Sequence, residues 1–263
     1  MKTFSIFLLS AVCCFAKANN VPLGAAATFG VLAGSAVVNT AGPTVIAGNV
    51  GVSPGSAISG FPPGTVFDGS IEPGNVATAH ADLITAYDNA MTQLPVTANL
   101  TSQNLGGLTL IPGIYAFDSS AMLNGTLTLN GAGIYIFQIG SSLTTATGAA
   151  VVAINGADAA NVFWQVGSSA TLGTGTRFIG NILANISITN DVGGTMAGRM
   201  LAINGAVTLA DEVLTYPPAT TPGGFGGPLP PTPAPSSWIL VLIGLACVAL
   251  YQTRERWLRR WSR

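Results

Sequence analysis

The sequence predicts a mainly β fold: a solenoid of short stacked strands with one helix packed along it. Three features point there. The stretch FQIGSSLTTATG, Phe137–Gly148, returns 27 residues later as WQVGSSATLGTG, Trp164–Gly175, with seven of twelve positions identical. Threonine recurs at 144, 171, 189 and 208, in steps of 27, 18 and 19 residues. Each of these threonines follows an apolar run: IYIFQIG, VFWQVG, NILANIS or RMLAING. Short strands bounded by Gly, Asn and Ser at a near-fixed period mark a solenoid, whose coils bury their apolar residues and satisfy one another's backbone groups at about 4.8 Å. A β-sandwich also has short strands, but it has no need of the same residue at the same place in successive turns.

The elements follow in chain order. Residues 1–18 read as a secretory signal, with Lys2, an apolar run from Phe4 to Phe15 and small residues at Ala16–Ala18. The body is expected over 19–217. Its first part, FGVLAGSAVVNTAGPTVIAGNVGVSPGSAISG, alternates small and apolar residues between Gly-Pro corners. Asn75 to Leu94 then reads as a helix, with Asn75 as cap and a single stripe of Val76, Ala79, Leu83, Ala86, Tyr87, Ala90 and Leu94. That stripe has to pack on a face of the solenoid.

The second part carries the repeats. The extra loop NGADAAN, Asn155–Asn161, lengthens the first step and leaves an underlying period of 18–19 residues. Asn-Gly pairs at 124–125, 130–131, 155–156 and 204–205 suit corners that need positive φ. Trp164, Phe137, Ile182 and Leu201 are expected inside. Residues 218–235 form a Pro/Gly-rich linker. Residues 236–251 are apolar, bracketed by Trp238 and Tyr251, and residues 252–263 hold five arginines. That pattern predicts a transmembrane or sorting segment with a cytoplasmic tail and an exported body.

Charge and chemistry narrow the function. The body holds nine acids against Arg177 and Arg199, a net charge of −7, which disfavours nucleic acid as a partner. It has no cysteine, because Cys13, Cys14 and Cys247 fall outside it, so packing and backbone pairing must hold it together. Its single histidine, His80, falls on the expected helix and reads as a partly exposed helix residue. Arg177 and Arg199 read as coil-edge or terminal-face residues, and the adjacent acids Asp211–Glu212 as a solvated turn. The acids are scattered, no His/Cys set has metal-ligand spacing, and no Gly-rich phosphate loop opens a helix. The expectation is a non-enzymatic protein without cofactor or metal.

The threonines remain. Residues two apart on a strand sit about 6.8 Å apart on one face, and ladder neighbours about 4.8 Å apart. Threonine at both spacings makes a stiff lattice of methyls and hydroxyls, because its χ1 is restricted. Such a lattice can order water or match a repetitive solid. Threonine in strands also serves plain β propensity and solubility.

The segments GVLAGSAVVNTAGPTVIAGNVGVSPGSAISGFPPGTV, PGIYAF, GIYIFQIGSSLTTATGA, NVFWQVGSSATLGTGTRFIGNILA and GRMLAINGAVTL closely resemble the microbial β-solenoid ice-binding (antifreeze) proteins over nearly all of residues 21–216. The resemblance implies a right-handed, discontinuous solenoid of triangular cross-section, its N-terminal coil closing beside the C-terminal one and a long helix along one face. It implies an ice surface as partner of a monomeric ectodomain, and inhibition of ice growth or recrystallisation. Thr40, Thr44, Thr144, Thr147, Thr171, Thr174, Thr176, Ser187, Thr189 and Thr208 match the part of the pattern that leads to the ice face. Positions aligned with Thr174 become Val192 and Asp211, which predicts an imperfect face and modest activity. The tail PTPAPSSW resembles bacterial C-terminal sorting signals of the Pro-Glu-Pro type, with Ala234 in place of Glu. An adhesive or structural cell-surface solenoid is the alternative reading.

Overall fold

The computed structural model describes residues 18–74 and 76–215. Residues 1–17 of the expected signal, the linker, the apolar segment and the arginine-rich tail lie outside the described residues, as does the expected cap Asn75.

The described chain is mainly β, with one α-helix, α1 (Ala77–Thr92), and every strand pairing is parallel. The pairings make three ladders. One stacks Ala98–Asn99, Gly113–Phe117, Tyr135–Ile139, Val162–Val166, residues 181–184 and residues 199–202. The second stacks Ala121–Leu123, Leu143–Thr145, Ala170–Leu172, Ile188–Asn190 and Val207–Ala210. The third stacks Thr109–Leu110, Thr126–Asn130, Ala150–Ile154, residues 177–180, residues 195–198 and Val213–Thr215.

The chain's first strands do not sit at the start of these stacks. Phe29–Ala33 pairs with the strand Thr195–Ala202, Ala36–Ala41 with Val207–Ala210, and Val45–Ala47 with Val213–Thr215. The N-terminal coil therefore closes against the C-terminal one. A second coil, Asn49–Val52, Ala57–Ser59 and Thr65–Phe67, stacks beyond it.

Two eight-residue strands, Arg177–Ala184 and Thr195–Ala202, run through a corner and join the first and third ladders. The corner falls at Gly180 and Gly198, which lie side by side. Gly180 has φ of 110°, and a Cβ on Gly198 would stand 1.8 Å from the Gly180 carbonyl oxygen. No residue with a side chain fits there without moving the neighbouring coil.

The interior is a single apolar column. In it Tyr115, Phe137 and Trp164 stack from coil to coil, with centroid separations of 5.6 and 3.8 Å, and Phe178 lies tilted against Trp164 within its own coil at 4.9 Å. Trp164, Phe137 and Ile182 lie in this column as expected. Leu201 is buried, but in the other phase: it faces the helix. In a strand adjacent residues point to opposite sides, and Met200 takes the interior place beside Ile182.

Helix α1 covers the outer side of the first ladder. Ala79, Leu83, Ala86, Tyr87 and Ala90 form its buried stripe, against Ile114, Ile136, Phe163, Leu183 and Leu201. Leu94 does not belong to the stripe: it is 72% exposed. The helix ends at Thr92, Gln93 is extended, and Pro95 disfavours a helical residue before it. His80, half-buried on the helix, donates from Nε2 to the Ile203 carbonyl at 2.7 Å. It ties helix to coil.

Arg199 is not a coil-edge residue. It is buried, donating from Nε and Nη2 to the Ala27 carbonyl and from Nη1 to Asn181 Oδ1 at 2.7 Å. Charge-assisted bonds of this kind are what permit a guanidinium inside. Nor is Asp211–Glu212 a solvated pair. Asp211 is exposed with φ of 49°, and that turn sends Glu212 inward to 1% exposure.

Candidate functional site

The second ladder supplies the site. Along each of its strands the alternation is strict: Leu143 and Thr145 point inward, as do Ala170 and Leu172, Ile188 and Asn190, and Val207 and Leu209. The residue between each pair has to point out. Those residues are Thr144, Thr171, Thr189 and Thr208, and they stand in direct register, each beside the next. Thr144 and Thr171 are exposed, and Thr189 and Thr208 are half-buried. The underlying apolar column fixes the strand phase, so the row cannot slip without turning leucines to water.

A second row runs beside the first, two residues earlier. The amides of Leu143, Ala170 and Ile188 donate to the carbonyls of Ser169, Ser187 and Ala206, which places Ser142, Ser169, Ser187 and Ala206 in file. Ser187 is half-buried, and its amide donates to Ser169 Oγ at 3.3 Å. Every side chain in this file is small, so the surface beside the threonines stays low.

Thr147 and Thr174 are exposed but lie in the turn after the strand. Gly148 donates to the Thr174 carbonyl, Gly175 to Val192 and Gly193 to Asp211, so the turn file reads Thr147, Thr174, Val192, Asp211, as the sequence alignment has it. Thr40 is exposed at an irregularity between Asn39 and Ala41, and its hydroxyl donates to the Leu209 carbonyl at 3.1 Å.

Thr44 and Thr176 are corrections. They are 0% and 1% exposed, so neither can touch anything outside. Thr176 Oγ1 donates to the Gly173 carbonyl at 2.6 Å and lies 2.9 Å from Thr145 Oγ1. Thr44 Oγ1 donates to Asn39 Oδ1 at 2.7 Å and accepts from the Glu212 amide. Both follow a turn that resets the in–out phase. They belong to a polar seam on the inner side of the corner between the second and third ladders.

The seam's third member is the pair Asn190 and Glu212. Neither carboxylate oxygen of Glu212 nor either amide atom of Asn190 meets a partner in hydrogen-bond geometry. Burial pushes the Glu212 carboxyl up to about 7, with the neighbouring Asn190 amide opposing the rise. Sequence reasoning missed this acid, because nothing in DEV says which way the second residue of the turn faces.

The geometry is therefore an uncharged, low, stiff row with a repeat set by backbone pairing. It offers no cleft and no convergent reactive groups. Among the described residues no three of His, Cys, Asp and Glu gather where a metal ion could sit.

Comparison with known proteins agrees with this shape. Residues 31–215 match the sequence profile of the Ice-binding-like family. The chain belongs to that family. It is 46% identical over 256 residues to an ice-binding protein of Nostoc sp. (strain HG1), covering 94% of this chain and 91% of that protein. It is 33% identical over 213 residues to an ice-binding protein of Flavobacterium frigoris (strain PS1), covering 75% and 76% of the two chains. Among solved structures, an ice-binding protein from an Antarctic biological consortium superposes with a TM-score of 0.73 at 41% identity, covering 76% of this chain and 93% of that one. One from the Antarctic ascomycete Antarctomyces psychrotrophicus gives 0.71 at 40% identity, covering 75% and 98%.

Proposed function

We propose that the protein binds ice through the outward row of the second ladder and so restrains ice growth and recrystallisation. The observation that carries the reading is the unbroken register of Thr144, Thr171, Thr189 and Thr208. Ice and liquid water are chemically identical, so a surface can prefer one only by geometry. A row repeating at about 4.8 Å presents methyls and hydroxyls at fixed intervals. Each contact is weak, but all form together, and a surface that is already rigid loses little entropy on binding. Thr40, Thr147, Thr174 and Ser187 flank the row and complete the proposed contact area.

The reading includes a right-handed winding and a triangular cross-section, as the resemblance implies. It takes residues 19–217 as the folded, non-enzymatic and monomeric part, and residues 1–18 as an export signal. It takes residues 236–251 as a membrane or sorting segment that would hold the body at the cell surface. The winding and cross-section rest on the resemblance, and the signal and the C-terminal segment on the sequence pattern.

Slow growth of an ice hemisphere in a solution of residues 19–217 tests the function. The protein is expected to enter the ice. A fragment that stays folded and remains wholly in the liquid overturns the proposal.

A further inference from the structure

The outward row does not stop at the four threonines. Beyond Thr208 its register crosses the junction between the two ends of the described chain: Val38 lies beside Thr208, and Ser59 beside Val38. In the other direction Met122 lies beside Thr144, and Asn104 bridges to Met122 one position further out. The backbone lattice thus continues at both ends, while the side chains it carries change.

Those side chains differ in height and stiffness. Valine has the branched shape of threonine with a methyl in place of the hydroxyl, and it is equally restricted at χ1. Serine keeps the hydroxyl and removes a methyl. Neither raises the surface. Met122 is unbranched, has three rotatable bonds and is 51% exposed. A flat solid seated on Thr144 meets that side chain first. It has either to stand off or to immobilise the methionine, which loses far more rotamer freedom than a β-branched residue does.

We propose that the ice-contacting row is Thr144, Thr171, Thr189, Thr208, Val38 and Ser59, completed by the two N-terminal coils and ended by Met122. The proposal rests on the reading of the second ladder as the ice face. It adds Val38 to Thr40 in the first coil, extends the face to the second coil through Ser59, and gives a limiting role to one methionine.

The test compares Val38→Arg, Ser59→Arg, Met122→Arg and Met122→Thr in the full chain, with Thr171→Tyr as reference. Thermal hysteresis is measured, and circular dichroism melts verify the fold. Val38→Arg is expected to lose most of the hysteresis, as Thr171→Tyr does. Ser59→Arg reads the same extension on an exposed position if the arginine at 38 lowers the melting temperature. Met122→Arg is expected to keep the parent activity, and Met122→Thr to raise it. Folded, fully active variants at both 38 and 59, beside an inactive Thr171→Tyr, overturn the extension and leave the ice face standing. Loss in Met122→Arg, or no gain in Met122→Thr, overturns the boundary. A fully active Thr171→Tyr overturns the ice face itself.

Discussion

Phe137 and Trp164 lie face to face in adjacent coils, centroids 3.8 Å apart and planes 7° from parallel. The same two coils carry Thr144 and Thr171 outward, seven residues further along each strand pair. The stack is therefore part of what holds the surface row in register. Trp164 is fully buried and donates from Nε1 to the Ile179 carbonyl at 3.0 Å. Trp164→Ala is expected to cost about 3–5 kcal/mol, from the cavity and the lost contacts. A denaturant melt with an unshifted midpoint would show that the ring contributes nothing to this column.

Thr171 is central in the row, with Thr144 on one side and Thr189 on the other. Thr171→Tyr is expected to abolish most ice activity while leaving the melt unchanged, because one tall side chain holds the whole plane off the solid. Thr171→Ser keeps the hydroxyl and adds no bulk, so its loss should be smaller. Thr85 is exposed on α1 with its hydroxyl bonded to the Ala81 carbonyl, and Thr85→Tyr should leave activity alone. Recrystallisation assays on the three variants check the ordering.

Leu83 is fully buried between α1 and the first ladder. Leu83→Asp places a carboxylate in an apolar contact, and should destabilise the domain by at least about 3 kcal/mol. Thermal melts settle this directly; a loss below about 1 kcal/mol would mean that the helix lifts off freely.

Glu212 gives the domain a pH dependence of definite sign. Its carboxyl titrates near 7 when folded, because of burial, against the usual range near 4.5. Below the lower value both states hold the proton and the group contributes nothing. Between the two values the unfolded chain releases the proton and the folded chain keeps it, so stability falls as pH rises. Above the upper value the loss levels off, on the order of 3 kcal/mol in total. Melting temperature should therefore decline from pH 5 to pH 7 more steeply in the parent than in Glu212→Gln, which has nothing to ionise. Parallel profiles for the two proteins would contradict the assignment.

The threonine row was legible because its positions are free of packing constraint and repeat in the text. The helix was legible from one stripe, apart from Leu94, which the following Pro95 removes from it. Thr44 and Thr176 were misplaced because a turn resets the in–out phase, and the alternation rule holds only within a strand. Leu201 fell on the wrong side for another reason: within its strand it is one residue out from Met200, the register partner of Ile182. The burial of Arg199 depends on a carbonyl 172 positions away, at Ala27, which no local pattern signals. The junction of the first coil with the last was implied by the family resemblance alone. No periodicity in residues 29–59 announces Thr208 as their neighbour, and so Val38 and Ser59 stayed outside the expected site.

That junction also bears on how the chain comes to be folded. Ribosomes deliver the coils in sequence order, but residues 29–73 find their supporting ladder only once residues 195–215 exist. Until then the first coils have only each other to pair with, and the edge that will meet residues 195–215 stays open, the condition in which strands pair wrongly. The coils from Gly113 to Ala202 each meet both neighbours within one or two turns of the chain, whereas the first coils meet only one another at that range. Folding is thus expected to nucleate in the middle and to finish with the arrival of the N-terminal coils, a closure of high sequence separation and correspondingly slow. The last part of the molecule to become rigid is the part made first.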